Sequence, residues 1–298
     1  MNYISFLFKK AIYAHLLVPF WMNRRRRRHI RARILAELCE RYVRDLPVVV
    51  PQDVVPERLN REYVFSMWLQ GEEQAPRIVK SCWESIRRYS TEELVVLDAD
   101  NIKNWIDIPE GFLARWQKGE IKPCHFSDFC RVELLWKYGG YWMDATDYMC
   151  RPMPEFIVEQ PFFIYLGDEE GYSPFIQNCF IRAYAHHPII GAWREIIRTY
   201  WAQHSRAFDY FLPHRLFHHM VLSNDQISEQ FAQMPHICHD CTHVLWWGGY
   251  RDQSFDEEIF RRLASEAAFQ KLEYKSLSAR SPWPGTLADY IVNRMVMP

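Results

Sequence analysis

Apolar positions along the chain recur with two periods. The run YVFSMWLQG from Tyr63 is a block of aromatic and β-branched residues closed by Gly71, which predicts a buried strand. Pro76 then opens a segment in which Ile78, Val79, Cys82, Trp83 and Ile86 are spaced by three and four, the signature of a helix with one apolar face. ELVVLDADN supplies a second strand with an acidic end, and FFIYLG and FIQNCFIRA supply two more. Helices are predicted from about Ile190 to Gln203 and over 209–223, followed by several short ones to Pro298. Strand alternating with helix predicts an α/β fold, with a mostly parallel central sheet flanked by helices. Residues 61–298 read as one catalytic-size body with a helical C-terminal part; residues 1–60 read as a helical leader to about Asp45 and the linker LPVVVPQDVVP.

The stretch from Pro123 to Pro154 concentrates the chemistry. Ser127 to Lys137 has helical spacing, with Ser127 placed to cap the amino end, and Gly139-Gly140 stops the helix. Tyr141-Trp142-Met143 is a short strand that ends at Asp144, Thr146 and Asp147. In open α/β sheets the crevice beyond the carboxyl ends of the strands receives ligands, so these oxygen-bearing groups suit a divalent cation such as Mn²⁺ or Mg²⁺. An ordinary surface turn uses the same residues, and both readings stay open on spacing alone.

Charge separates the two parts. Nine of the 36 basic residues and none of the 37 acidic ones lie in residues 1–33. The body is therefore acidic, which argues against general nucleic-acid binding. Residues 4–22 are apolar and aromatic but are broken by Lys9-Lys10, His15 and Pro19, and an arginine run follows at 24–28. That juxtaposition suits residues 1–33 to an anionic membrane surface, each cation contributing about 1 kcal/mol. A signal anchor and a plain solvated helix are the alternatives. Eight scattered cysteines form no visible disulfide framework, and no cleavable secretory signal is evident, so the expected location is the cytoplasm, at the inner face of the membrane.

Four segments together carry a family resemblance: Trp68-Leu-Gln-Gly71 with Ala75-Pro76, His125-Phe-Ser-Asp128-Phe-Cys-Arg131, Tyr138-Gly-Gly-Tyr-Trp-Met-Asp144-Ala-Thr146, and Asp209-Tyr-Phe with Lys271-Leu-Glu-Tyr-Lys275. The chain resembles bacterial capsular polysaccharide synthesis proteins, relatives of the glycosyltransferase family 32 sugar transferases of glycosyltransferase-A fold. The resemblance implies a metal-dependent, retaining glycosyltransferase moving a sugar from a nucleotide-sugar donor, a UDP-sugar first, to a capsular or other surface polysaccharide. A lipopolysaccharide or lipid-linked acceptor, or a non-catalytic nucleotide-sugar-binding subunit, is the alternative. It also implies roles. Asp128, Arg131 and Asp144 would be catalytic, and Asp144, Thr146 and Asp147 would hold the ion, although Thr146 stands where many relatives carry a second Asp. Trp68 and Gln70 would meet the nucleotide, with Gln177 and Asn178 in the donor pocket. Asp209 and His214 would lie near the acceptor or the ion, and Trp283, after Ser281-Pro, would cover the donor. Lys271 and Lys275, four apart on a possible helix face, are open to phosphate contact or simple solvation.

Overall fold

A computed structural model describes residues 3–15, 23–167, 175–275 and 283–293. The elements run α1 (Tyr3–His15), α2 (Arg24–Val43), β1 (Tyr63–Met67), α3 (Arg77–Tyr89), β2 (Glu93–Leu97), α4 (Glu110–Gln117), α5 (Pro123–Tyr138), β3 (Gly140–Met143) and β4 (Asp147–Met149). They continue through α6 (Glu155–Val158), β5 (Phe162–Leu166), β6 (Ile176–Ala183), α7 (Pro188–Gln203), α8 (Leu212–Ser223), α9 (Asp225–Gln233), α10 (Asp240–Trp247), α11 (Glu257–Glu266), β7 (Phe269–Lys271) and α12 (Leu287–Asn293).

The central sheet has the order β2-β1-β3-β6-β5. β1 is parallel to β2 and β3, and β6 runs antiparallel to both β3 and β5, so only β6 is reversed. Alternate side chains enter opposite cores, as the two-residue period of a strand requires. Phe65, Trp142, Ile164 and Ile181 pack with residues of α2, α5, α7 and α8. Val64, Tyr141, Phe163 and Phe180 pack with residues of α3, α11 and α12. This mixed α/β arrangement, helices on both faces of a mostly parallel sheet, agrees with the sequence pattern. The leader shares the first core: Phe6, Leu38, Tyr42 and Val43 belong to the same apolar cluster as Phe65 and Trp142.

Three local readings differ. Helix α5 begins at Pro123, whose fixed φ and missing N–H suit the first turn, so Ser127 lies inside the helix and caps nothing. Asp147 opens strand β4 and does not lie in a loop. Lys271 ends β7 and lies on no helix, the two strands pairing antiparallel with Asp147 opposite Lys271. The Gly139-Gly140 junction works as expected. Both have positive φ, 61° and 82°, and a Cβ on Gly140 would lie 2.4 Å from the Tyr63 carbonyl oxygen. No other residue lets the chain leave α5 and enter the sheet so close to β1.

Candidate active site

The carboxyl ends of β1, β2 and β3 share one edge of the sheet. Reversed β6 brings its first residues to the same edge, where the Asp144 amide donates to the Cys179 carbonyl at 2.9 Å. Helix α5 lies beside it and presents His125, Asp128 and Arg131, three residues apart and therefore on one face.

These elements assemble a network of fixed charges. Asp144 Oδ1 accepts from Trp142 Nε1 at 2.9 Å and faces the Arg131 guanidinium at 3.4 Å. Trp142 lies two residues before Asp144 on the same strand face, and its ring sits beneath that guanidinium, 4.8 Å from centroid to Cζ. Arg131 also meets Asp128 Oδ1 at 3.2 Å and donates to the Asn178 carbonyl. Asn178 returns a bond from Nδ2 to Asp128 Oδ1 at 3.0 Å, and His125 Nδ1 lies 3.4 Å from Asp128 Oδ2.

Lys271 completes the arrangement. Its Nζ lies 2.7 Å from Asp144 Oδ2 and 3.1 Å from Asp147 Oδ1. The remaining Asp147 oxygen accepts from the Asp144 amide at 3.1 Å. Burial opposes ionisation of Asp144, yet Lys271 and Arg131 outweigh it and hold the carboxyl below its usual range. Asp147 has no solvent exposure, and there burial wins over Lys271, raising its pKa to about 7. The Lys271 ammonium is itself stabilised: burial disfavours it, but the two carboxylates push its pKa up.

A divalent ion was expected at Asp144, Thr146 and Asp147. Carboxylate and hydroxyl oxygens are suitable ligands for Mn²⁺ or Mg²⁺, but three of the four carboxylate oxygens here accept a hydrogen bond, and the fourth, Asp147 Oδ1, faces Lys271 Nζ at 3.1 Å without one. An ammonium stands between the two carboxylates, where the ion would have to be. As arranged, these residues do not fit a divalent ion. The Thr146 carbonyl accepts from the Leu272 amide at 2.8 Å, which ties this loop to the end of β7.

The other expected residues divide. Asn178 is in the network, and His214 is buried close enough that Asp128 and Arg131 act on its imidazole; burial pushes its pKa down to about 3 and keeps it neutral. Trp68 follows β1 on the same edge, its ring set edge-on to Tyr274 at 5.0 Å. Gln70 is exposed, and Gln177 pairs opposite Tyr165 in the sheet. Asp209 faces Arg215 at 3.6 Å. Trp283 is 61% exposed at the margin of the described residues, and Ser281 lies outside them. His125 and Trp142 are the residues that sequence reasoning left without a role in the site, and Lys271, open there to phosphate contact from a helix, instead meets two carboxylates from a strand. The three-residue spacing from His125 to Arg131 and the two-residue spacing from Trp142 to Asp144 were the available signals.

Buried polar atoms without a hydrogen bond at this edge include Trp68 Nε1, His125 Nδ1, Arg131 Nε, Asp147 Oδ1 and His214 Nδ1. Native interiors satisfy nearly all such groups, so this concentration marks a place where a polar ligand supplies the missing bonds.

The family described as capsular polysaccharide synthesis protein matches residues 18–290. The chain belongs to that family. A curated relative, "O-glycosyltransferase braB" of Annulohypoxylon truncatum, is 28% identical over 156 residues, which span 46% of this chain and 37% of that protein. Among solved structures, one titled "PaToxG Glycosyltransferase" superposes over 70% of this chain and 85% of its own, at 13% identity and a TM-score of 0.36.

Proposed function

We propose that this chain is a glycosyltransferase of glycosyltransferase-A type that moves a sugar from a nucleoside-diphosphate sugar to a surface saccharide. The observation that carries the reading is the set of fixed cations and unpartnered polar atoms at the carboxyl edge of the sheet. Family membership supports transfer to a capsular polysaccharide, and the braB likeness supports glycosyl transfer as the chemistry.

Departure of the nucleotide concentrates negative charge on its terminal phosphate, and groups already aimed there stabilise the transition state more than the ground state. Lys271 has three N–H donors; two reach Asp144 and Asp147, leaving one for a phosphate oxygen. Arg131 keeps its Nε unused. Asp128 and Asn178 are placed to bind hydroxyls of the transferred sugar, and Trp68 to meet the nucleoside. We assign the leaving phosphate's charge to Lys271 and Arg131, in the place where a Mn²⁺ or Mg²⁺ ion was expected, and route no step through an ion. Asp128, Asp144 and Asp147 each face a cation. Retention at the anomeric carbon is what the family resemblance implies.

The test is a panel of nucleotide sugars, UDP-sugars first, assayed for release of nucleotide with and without a chelator. Release from one donor, lost in Asp144→Asn, is expected. No release and no binding across the panel would refute the reading.

A further inference from the structure

A second cavity adjoins the donor site. It encloses about 490 Å³, within the range of small-molecule sites, and is lined by α1, the segment before α5, α7 and the α7–α8 loop. Lys10, Lys122 and Arg206 bring three cations to its wall, with Trp201 and Tyr210 as aromatic surfaces. Two acidic residues also line it: Glu120, which is exposed, and Asp209, whose carboxylate faces Arg215 at 3.6 Å. His125 lines it too, with Nδ1 3.4 Å from Asp128 of the donor network, so the two sites share a wall.

Helix α1 forms the rim. Phe6 is fully buried against Tyr42 and Phe208, at 5.1 and 5.3 Å between ring centroids, which fixes the helix on the body. Ile4, Leu7 and Phe8, spaced by three and four, form the opposite face and are 78%, 41% and 67% exposed. Leu7 belongs both to this apolar face and to the cavity lining. An apolar stripe thus leads into a pocket of cations and aromatic rings whose wall includes His125.

We propose that this cavity binds a lipid-linked saccharide phosphate as the acceptor. The lipid lies along Ile4, Leu7 and Phe8, the phosphate or diphosphate meets Lys10, Lys122 and Arg206, and the sugar stacks on Tyr210, which is exposed, with its accepting hydroxyl toward His125 and Asp128. This rests on the glycosyltransferase reading. Cations recognise the anion, aromatic faces recognise the sugar, and the exposed stripe requires an apolar chain joined to both.

The experiment compares flotation of the full chain with three vesicles: phosphatidylcholine alone, phosphatidylcholine with phosphatidylglycerol, and phosphatidylcholine with a polyprenyl phosphate at the same surface charge. The polyprenyl phosphate vesicles are expected to bind the chain at least about tenfold more tightly than the phosphatidylglycerol ones. Lys122→Gln with Arg206→Gln should abolish that preference, lowering affinity about thirtyfold for two surface cations. Ile4→Asp with Phe8→Asp, neither of which lines the cavity, should remove vesicle binding while the cavity still binds inorganic pyrophosphate in solution. Thermal melting equal to that of the wild type keeps either pair interpretable. Equal binding to both anionic vesicles would mean a general membrane surface and overturn the proposal, as would a preference that survives loss of Lys122 and Arg206. Nucleotide release by the wild-type chain without lipid reports separately on the donor reading: release with no lipid preference defeats only this inference, and preference with no release defeats only the other.

Discussion

Replacing Lys271 with Met removes the ammonium between Asp144 and Asp147 while keeping the length of the side chain. Asp144 retains Arg131 and Trp142, but fully buried Asp147 loses its cation at 3.1 Å. Removing one partner of a buried ion pair costs about 3–5 kcal/mol, because the other charge is left without compensation. Part of that loss is avoidable by protonation, since Asp147 already titrates at about 7. The cost should therefore be largest at pH 8 and shrink towards pH 5, as the orphaned carboxylate takes up its proton. Asp147→Asn in the same chain should restore about half of the loss. Urea unfolding of the wild type, Lys271→Met and the double variant across that range measures all three effects. A second readout bears on ion selectivity. With the ammonium gone the two carboxylates become an open oxygen pair, so Lys271→Met should bind Mn²⁺ at least about tenfold more tightly than the wild type by calorimetry. The reasoning is refuted if the variant unfolds within about 1 kcal/mol of the wild type at pH 8, or if the wild type binds Mn²⁺ as tightly as the variant.

Four further outcomes are expected. Asp144→Asn should lower nucleotide release by at least about a hundredfold, the scale of a lost transition-state contact, and unchanged release would remove Asp144 from the site. Gly140→Ala should cost at least about 3 kcal/mol in chemical unfolding, from positive φ and contact with the Tyr63 carbonyl; a cost below about 1 kcal/mol would show that β1 yields there. His187 is held neutral by burial, with a pKa pushed down from 6.5 to about 4. The unfolded chain takes up that proton first, so stability falls as pH drops through this window, by about 3 kcal/mol; His187→Asn, which keeps the helix cap, should flatten that acid limb relative to the wild type. Arg182→Met should cost about 3 kcal/mol by urea unfolding, because buried Glu62 loses its partner at 2.7 Å and keeps only the more exposed Arg58 at 3.1 Å; a loss under about 1 kcal/mol would refute that.

The sheet was legible because its strands are dense apolar blocks and its helices repeat at three and four. What sequence could not show was the reversal of β6, since a short apolar strand carries no mark of its direction. Within the site, the Asp128–Arg131 pair was readable from helical spacing and Asp144 from its place after a strand. Lys271 was misplaced because KLEYK offers lysines at helical spacing as readily as it ends a strand. Only its pairing with Asp147 in β4 decides between them, and that is a long-range contact. The cation cavity was invisible for the same reason: Lys10, Lys122 and Arg206 come from three distant parts of the chain.

The bond between Lys271 and Asp144 joins residues 127 apart, and this has a consequence for how the chain is made. During synthesis the acidic edge emerges first and its counter-charge much later. A nascent chain that has not reached Phe269 carries Asp144 and Asp147 with no ammonium between them, and closing the edge would bury bare carboxylate. That edge should stay hydrated until β7 docks. Chains truncated before Phe269 are therefore expected to be cut near Asp147 under brief proteolysis while the full chain resists.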